Sequence, residues 1–316
     1  MHVLASEIGK LALPGGLDRL GSIVTIGSFD GIHVGHQALI RRLVEQARQQ
    51  DLLAGLVTFY PHPASILHPQ QPTLYLTTPG EKMALLEPMG LDWIAVLSFT
   101  PQLAAMSPRQ FVMQLCDRVN MVGVWVGPDF ALGSGRAGNA DTLRRLGKEM
   151  EYQVYDIPYV TQEGQRVSST HIRTLLRRGR VEDAAHLLGR LYSVSGEVVR
   201  GAQRGRCLGF PTANVDVRAD RVVPANGIYA TYARLGSLCY PSVTSIGVRP
   251  TFDHGERSVE TYLLDYDGSL YGCDLLVEFV ARLRPEKRFA DVKDLIAQIE
   301  RDVAATRDIL DGRSSA

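Results

Sequence analysis

From residue 23 to about residue 188, short apolar runs alternate with stretches whose apolar residues recur at helical spacing. The runs 23–26, 56–59, 93–97, 123–126 and 153–157 are four or five residues long and rich in β-branched and aromatic side chains, as buried strands are. Between them apolar residues fall three and four apart: Leu39, Ile40, Leu43, Val44 and Ala47 in one segment, Phe111, Leu115 and Val119 in another. The second of these helices carries a start signal, with Ser107 as cap, Pro108 at its first position and Gln110 completing a capping box. Strand and helix in alternation predict an α/β domain, a Rossmann-like parallel sheet covered by helices.

After a helical stretch over 181–188, Gly189-Arg190-Leu191-Tyr192 ends that pattern and the period changes. Segments 193–201, 227–233, 240–247, 258–265 and 275–283 read as strands divided by turn signals such as Asn226-Gly227 and Asp267-Gly268, which predicts an antiparallel barrel or sandwich. Val292, Leu295, Ile296, Ile299 and Val303 then form one apolar stripe, predicting a final helix packed on those strands. A chain of 316 residues fits two domains, 1–188 and 189–316.

The 34 basic and 34 acidic residues cancel, which removes the electrostatic footprint of a nucleic-acid or acidic-membrane binder and leaves small anions as partners. No apolar run approaches the ~18 residues of a membrane helix, and the first residues lack the basic start and apolar core of a secretory signal. Cys116, Cys207, Cys239 and Cys273 stand far apart with no C-x-x-C, predicting neither zinc nor a disulfide framework. A cytoplasmic enzyme, monomeric or weakly self-associating, is the expectation.

The chemistry centres on Gly27-Ser28-Phe29-Asp30-Gly31-Ile32-His33-Val34-Gly35-His36, a glycine turn between a strand and a helix. Free N–H groups and the positive end of the helix dipole favour an anion there, and Gly27 and Gly31 permit close backbone approach. His33 and His36, three apart at the helix start, can face one phosphate chain as donors. Zinc pairs on helices stand four apart, and no third ligand lies nearby in sequence. Farther on, Ser168, Ser169 and Thr170 open another helix with Arg173 one turn inside, a second phosphate clamp. Gly133-Ser134-Gly135-Arg136-Ala137-Gly138 has the form G-x-G-x-x-G, but five residues, Pro128 to Leu132, separate it from the strand's Gly127. A dinucleotide fingerprint turns directly from strand to helix.

The second half has its own centre, the stretch from Gly201 to Asn214. Its glycines let backbone amides wrap phosphate oxygens, Arg204 and Arg206 add charge, and Thr212 and Asn214, two apart on an extended segment, can present oxygens to magnesium. Strand alternation sets Glu260 on one face with Tyr262 and Leu264, an unusual setting for an idle carboxylate. No G-x-x-x-x-G-K-[ST] occurs, so a kinase here is not of the P-loop type.

The turn from Gly27 to His36 resembles the G-x-F-D-G-x-H-x-G-H signature of the FAD synthetases, and Ser168 to Arg173 resembles their S-S-T-x-I-R. Gly205 to Asn214 is similar to the G-R-x-L-G-F-P-T-A-N motif of riboflavin kinase. In order these cover about residues 23–310, as in the two-domain riboflavin kinase/FAD synthetases. The resemblance implies an N-terminal nucleotidyltransferase domain and a C-terminal antiparallel β-barrel with a terminal helix, with ATP, riboflavin, FMN and FAD as substrates and products and Mg²⁺ as cofactor. It implies catalytic roles for His33, His36, Arg173 and Glu260, and magnesium at Thr212 and Asn214. Substrate contacts are implied for Gly27, Ser28, Phe29, Asp30, Gly31, Ser168, Ser169 and Thr170. His62 joins them within Phe59-Tyr60-Pro61-His62-Pro63, and Asp129 and Phe130 after the fourth strand run. In the second domain Gly201, Gly205, Arg206, Leu208, Gly209, Phe210 and Pro211 are implied at the nucleotide, Arg249 and Thr251 at the flavin. Tyr60 stands where the family commonly has an acid, and Leu132 where it has an aromatic. Two other readings stay open on the sequence: a different nucleotidyltransferase with a regulatory flavin-binding barrel, and a non-catalytic flavin carrier.

Overall fold

The computed structural model describes residues 1–71, 73–162, 164–201, 205, 208–248 and 257–314, the side chains of 313 and 314 excepted. The chain divides into two compact units, Met1–Ser169 and Thr170–Ala316.

The first unit is built on a six-stranded sheet of β1 (His2–Leu4), β2 (Ser22–Ile26), β3 (Leu53–Tyr60), β4 (Trp93–Ser98), β5 (Met121–Val126) and β6 (Gln153–Asp156), in the order β1-β4-β3-β2-β5-β6. Every pairing is parallel. Helices α1 (Val34–Gln49), the short α2 (Pro63–Leu67), α3 (Pro79–Leu86), the short α4 (Pro101–Ala105), α5 (Pro108–Val119) and α6 (Ala140–Met150) connect the strands. Strand alternation feeds two cores. Ile23, Ala54, Leu56 and Ile94 pack with Leu39, Ile40 and Leu43 of α1 and Leu86 of α3. Val24, Val57, Ala95 and Leu97 pack with Phe111 and Leu115 of α5 and Leu143 of α6. Each such side chain buried is worth about 2 kcal/mol, enough for the stripe on α1 to fix its rotation on the sheet. The Ser107–Gln110 capping box forms as the spacing predicts. Unforeseen in the pattern are β1, only three residues long, and the hairpin of β7 (Thr161–Gln162) and β8 (Gln165–Arg166).

Chain direction across the sheet reverses at β2: β3 and β4 lie to one side, β5 and β6 to the other. A crevice opens beyond the carboxyl ends of the strands at such a switch point. The residue that follows β2 is Gly27.

Helix α7 (Ser169–Arg177) starts at the division, and α8 (Val181–Leu188) packs on the barrel strands β9 (Tyr192–Val199) and β14 (Asp274–Arg284). With β10 (Ala213–Val217), β11 (Gly227–Leu235), β12 (Leu238–Val248) and β13 (Arg257–Leu263) they close an antiparallel barrel in the order β10-β13-β12-β11-β14-β9. Closure removes the exposed strand edges a sandwich would keep. Tyr229, Val277 and Phe279 are fully buried, and the buried hydroxyls satisfy one another: Thr231 Oγ1 lies 2.8 Å from both Ser242 Oγ and Thr244 Oγ1. The last helix, α9 (Val292–Ser314), lies on β11, β12 and β14, with Leu310 against Ala230 and Val280.

Candidate active sites

The turn after β2 is held in a conformation few sequences adopt. Phe29 (φ 46°), Gly31 (φ 85°) and Ile32 (φ 38°) all occupy the left-handed region, which costs a bulky residue energy that the surroundings must supply. They do so by burial, with Phe29 3% and Ile32 1% exposed. Asp30 is turned inward: its carboxylate accepts from Leu76 N (3.0 Å), Thr77 N (3.1 Å) and Thr77 Oγ1 (3.3 Å). Gly31 N donates to Thr77 Oγ1 at 3.2 Å. The carbonyl of Ser28 accepts from Thr58 Oγ1 (3.0 Å) and Lys82 Nζ (2.7 Å). Ser169 Oγ donates to Asp30 O at 2.8 Å, so the serine-rich stretch reaches the glycine turn.

His33 is the N-cap of α1, its Nδ1 accepting from His36 N at 3.2 Å. Acceptance at Nδ1 puts the proton of a neutral His33 on Nε2, leaving that N–H as a donor. The two imidazoles stack with centroids 3.6 Å apart and 15° between planes, and Phe29 meets His36 edge-on. Burial, the neighbouring His33 and Lys82 hold the His36 pKa well below the ordinary imidazole value. His36 is therefore a neutral donor at physiological pH. Its Nδ1 is buried with no hydrogen-bond partner among the described residues.

His62 caps α2 through its ring Nδ1, which accepts from Ala64 N at 3.1 Å, while the His62 backbone N–H donates to Tyr75 Oη at 2.7 Å. Tyr60 is 36% exposed, 6.0 Å from the Tyr75 ring. Asp129 is exposed; it accepts from Tyr159 Oη (2.6 Å) and pairs with Arg166, whose guanidinium lies over the Tyr159 ring. Phe130 packs half-buried on the α5 side of the sheet, and Leu132 is buried. The G-x-G-x-x-G segment lies in the connection between β5 and α6. Thr170 and Arg173 fall on the second unit's side of the division, Thr170 exposed and Arg173 half-buried.

In the barrel Asn214 of β10 is the direct register partner of Glu260 of β13. Opposed residues on antiparallel strands share a face with side chains a few ångströms apart. Gly201 makes this possible: a Cβ there would stand 2.3 Å from Asn214 Nδ2. The Gly205 carbonyl accepts from Phe210 N (2.9 Å) and Leu208 N (3.0 Å), and Gly209 sits at φ 86°. Two cavities meet at Thr212. One, of about 290 Å³, is lined by Phe210, Glu260, Tyr262, Phe289, Leu295 and Ile299; the other, of about 410 Å³, by Pro211, Ala213, Asp267, Gly268 and Tyr271. Arg204, Arg206, Arg249 and Thr251 lie outside the described residues.

The wall of the smaller cavity is locked by charge. Arg284 Nη2 and Nε reach the Asp302 carboxylate at 2.7 and 2.9 Å, and Gln298 Nε2 donates to it at 2.9 Å, fixing α9 to β14. Sequence reasoning passed over Arg284, Asp302, Thr77 and Lys82. Only Lys82 left a trace: it stands four residues before the buried Leu86, on the inward face of α3.

A doubly wound sheet with a glycine turn at its switch point, followed by a closed barrel in which an acid of β13 faces an amide of β10, is the architecture of a two-domain nucleotide-dependent transferase. The FAD synthetase family profile matches residues 18–171 and the riboflavin kinase profile residues 188–310. The bifunctional riboflavin kinase/FMN adenylyltransferase of Bacillus subtilis (strain 168) is 34% identical over 291 residues, 90% of this chain and 91% of that protein. That of Pseudomonas fluorescens is 37% identical over 292 residues, 92% and 93% of the two chains. A crystal structure described as a macrolide-efflux protein from Streptococcus pneumoniae superposes with a TM-score of 0.88 at 30% identity, over 97% of this chain and 99% of that one. The chain belongs to the bifunctional riboflavin kinase/FMN adenylyltransferase family. No helix among the described residues is long and apolar enough to cross a membrane.

Proposed function

We propose that the chain makes FAD from riboflavin in two ATP-dependent transfers, phosphorylation in the barrel and adenylylation at the turn after β2. The observation that carries the first is the pairing of Glu260 with Asn214 beside two cavities that share Thr212. The aromatic-lined cavity suits the isoalloxazine ring, and the other the nucleotide. Glu260 accepts the proton of the riboflavin 5′-hydroxyl as that oxygen bonds to the γ-phosphorus; the bond to ADP breaks, giving FMN.

Thr212 and Asn214 offer neutral oxygen donors, and no group of three His, Cys, Asp or Glu among the described residues could hold a metal alone. That donor set fits magnesium, which takes its remaining ligands from water and ATP phosphates, and does not fit zinc. Bound there, the ion would neutralise charge on the phosphates. Pro211 lines the nucleotide cavity and Gly205, Leu208 and Phe210 the flavin cavity; Gly201 positions Asn214.

In the second transfer an FMN phosphate oxygen attacks the α-phosphorus of another ATP and pyrophosphate leaves. His33 and His36 donate N–H groups to the developing charge, with Ser168 as a further donor and Gly27 to Gly31 as the backbone cradle. The reacting phosphate is already ionised, so positioning and charge stabilisation supply the rate. Incubation with riboflavin, ATP and Mg²⁺ tests the reading: FMN should appear first and FAD after it.

A further inference from the structure

Lys82 is 7% exposed, yet its hydrogen bonds go to two neutral oxygens, Ser28 O (2.7 Å) and Thr58 Oγ1 (3.3 Å). The acid that acts on it through space, Asp30, spends its carboxylate on Leu76 and Thr77. Burying an ammonium without a carboxylate in contact is costly. The bond to Ser28 does not account for it, because Thr58 Oγ1 donates to the same carbonyl at 3.0 Å. What lysine supplies here, and methionine in the same space would not, is charge.

We infer that Lys82 is a positioning residue of adenylyl transfer, its buried ammonium supplying fixed positive potential to the nucleotide phosphates from behind the Gly27 to His36 turn. The inference rests on the reading of that turn as the ATP site. The same charge acts on His36, helping to keep its imidazole neutral. The charged and titratable groups acting with Lys82 are Asp30 of the turn and His36 at the start of α1. β3 offers the neutral Thr58, and on α3 Glu81 is engaged with the Thr78 cap. Desolvation pushes the Lys82 pKa down to about 8, so its charge is lost as pH rises through that value.

The test uses the full chain, with wild type, Lys82→Met and His36→Ala assayed for FAD formation from FMN and ATP and, on the same preparations, for riboflavin phosphorylation. Lys82→Met should lower kcat/KM for ATP in FAD formation by about 100-fold, the scale of one lost charge-stabilising group. Riboflavin phosphorylation should stay within twofold, the thermal midpoint should not fall, and the His36 ring signals should titrate at higher pH. Wild-type kcat/KM should decline as pH rises through about 8, where the phosphates of both substrates are already fully ionised; that limb should be absent in Lys82→Met. An adenylyl-transfer rate within threefold of wild type, a loss that merely tracks a fallen thermal midpoint, or a flat wild-type profile from pH 7 to 9 would each overturn the inference. If His36→Ala leaves FAD formation intact, the reading of the turn fails; if it stops FAD formation while Lys82→Met does not, only the role of Lys82 fails.

Discussion

Ser169 Oγ donates a 2.8 Å hydrogen bond to the carbonyl oxygen of Asp30 across 139 residues of sequence. Asp30 in turn carries the Leu76–Thr77 backbone on its carboxylate, so two distant segments converge on one turn. Removing the hydroxyl costs one hydrogen bond, about 1 kcal/mol. Ser169→Ala should therefore slow FAD formation from FMN about fivefold and leave riboflavin phosphorylation unchanged, as measured by rates on one preparation.

Gly201→Ala sets a methyl group where the Asn214 side chain lies, and Asn214 is 7% exposed with little room to retreat. Riboflavin phosphorylation should fall more than tenfold, with a raised Mg²⁺ requirement, while FAD formation from supplied FMN persists. A magnesium titration of both activities checks this.

Asp302→Ala leaves the Arg284 guanidinium, 20% exposed, without its carboxylate in the cavity wall. Breaking such a pair costs about 3–5 kcal/mol, with this one at the lower end because Arg284 keeps some solvent. The thermal midpoint of the barrel should drop by several degrees and KM for riboflavin should rise, both visible by calorimetry and kinase assay.

His36 makes a pH prediction whose sign follows from linkage. Its folded pKa lies below 6.5, so as pH falls through 6.5 the unfolded chain takes up a proton that the folded chain refuses. The unfolded state then binds more protons, and stability is lost on acidification below 6.5. His36→Ala should flatten that part of the curve of stability against pH. NMR of wild type should show no titration of the His36 ring between pH 6.5 and 8.

The parallel sheet, its main strands, the glycine turn after β2 and the capped α5 were legible because each rests on local information: period, turn residues and cap spacing. Strand β10 was not named as one, although Ala213 to Val217 alternates apolar and polar as a half-buried strand does and Thr212 and Asn214 were read as extended. The inward use of Asp30 and the lysine behind the turn were illegible for another reason. They depend on segments 46 and 54 residues away folding back on the turn, and no period in the sequence records that approach. The pairing of Arg284 with Asp302 depends on α9 being laid on β14, which no local pattern records.

The most direct measurement is chromatographic separation of flavins after incubating wild type, Glu260→Gln and His36→Ala with ATP, Mg²⁺ and either riboflavin or FMN. One site in each domain predicts that wild type forms FMN and then FAD. Glu260→Gln should lose riboflavin phosphorylation by at least about 100-fold, as loss of a general base does, yet still convert supplied FMN to FAD. His36→Ala should accumulate FMN and stop there. Loss of both activities in either variant while the protein stays folded, or FAD formation undiminished in His36→Ala, would contradict the account.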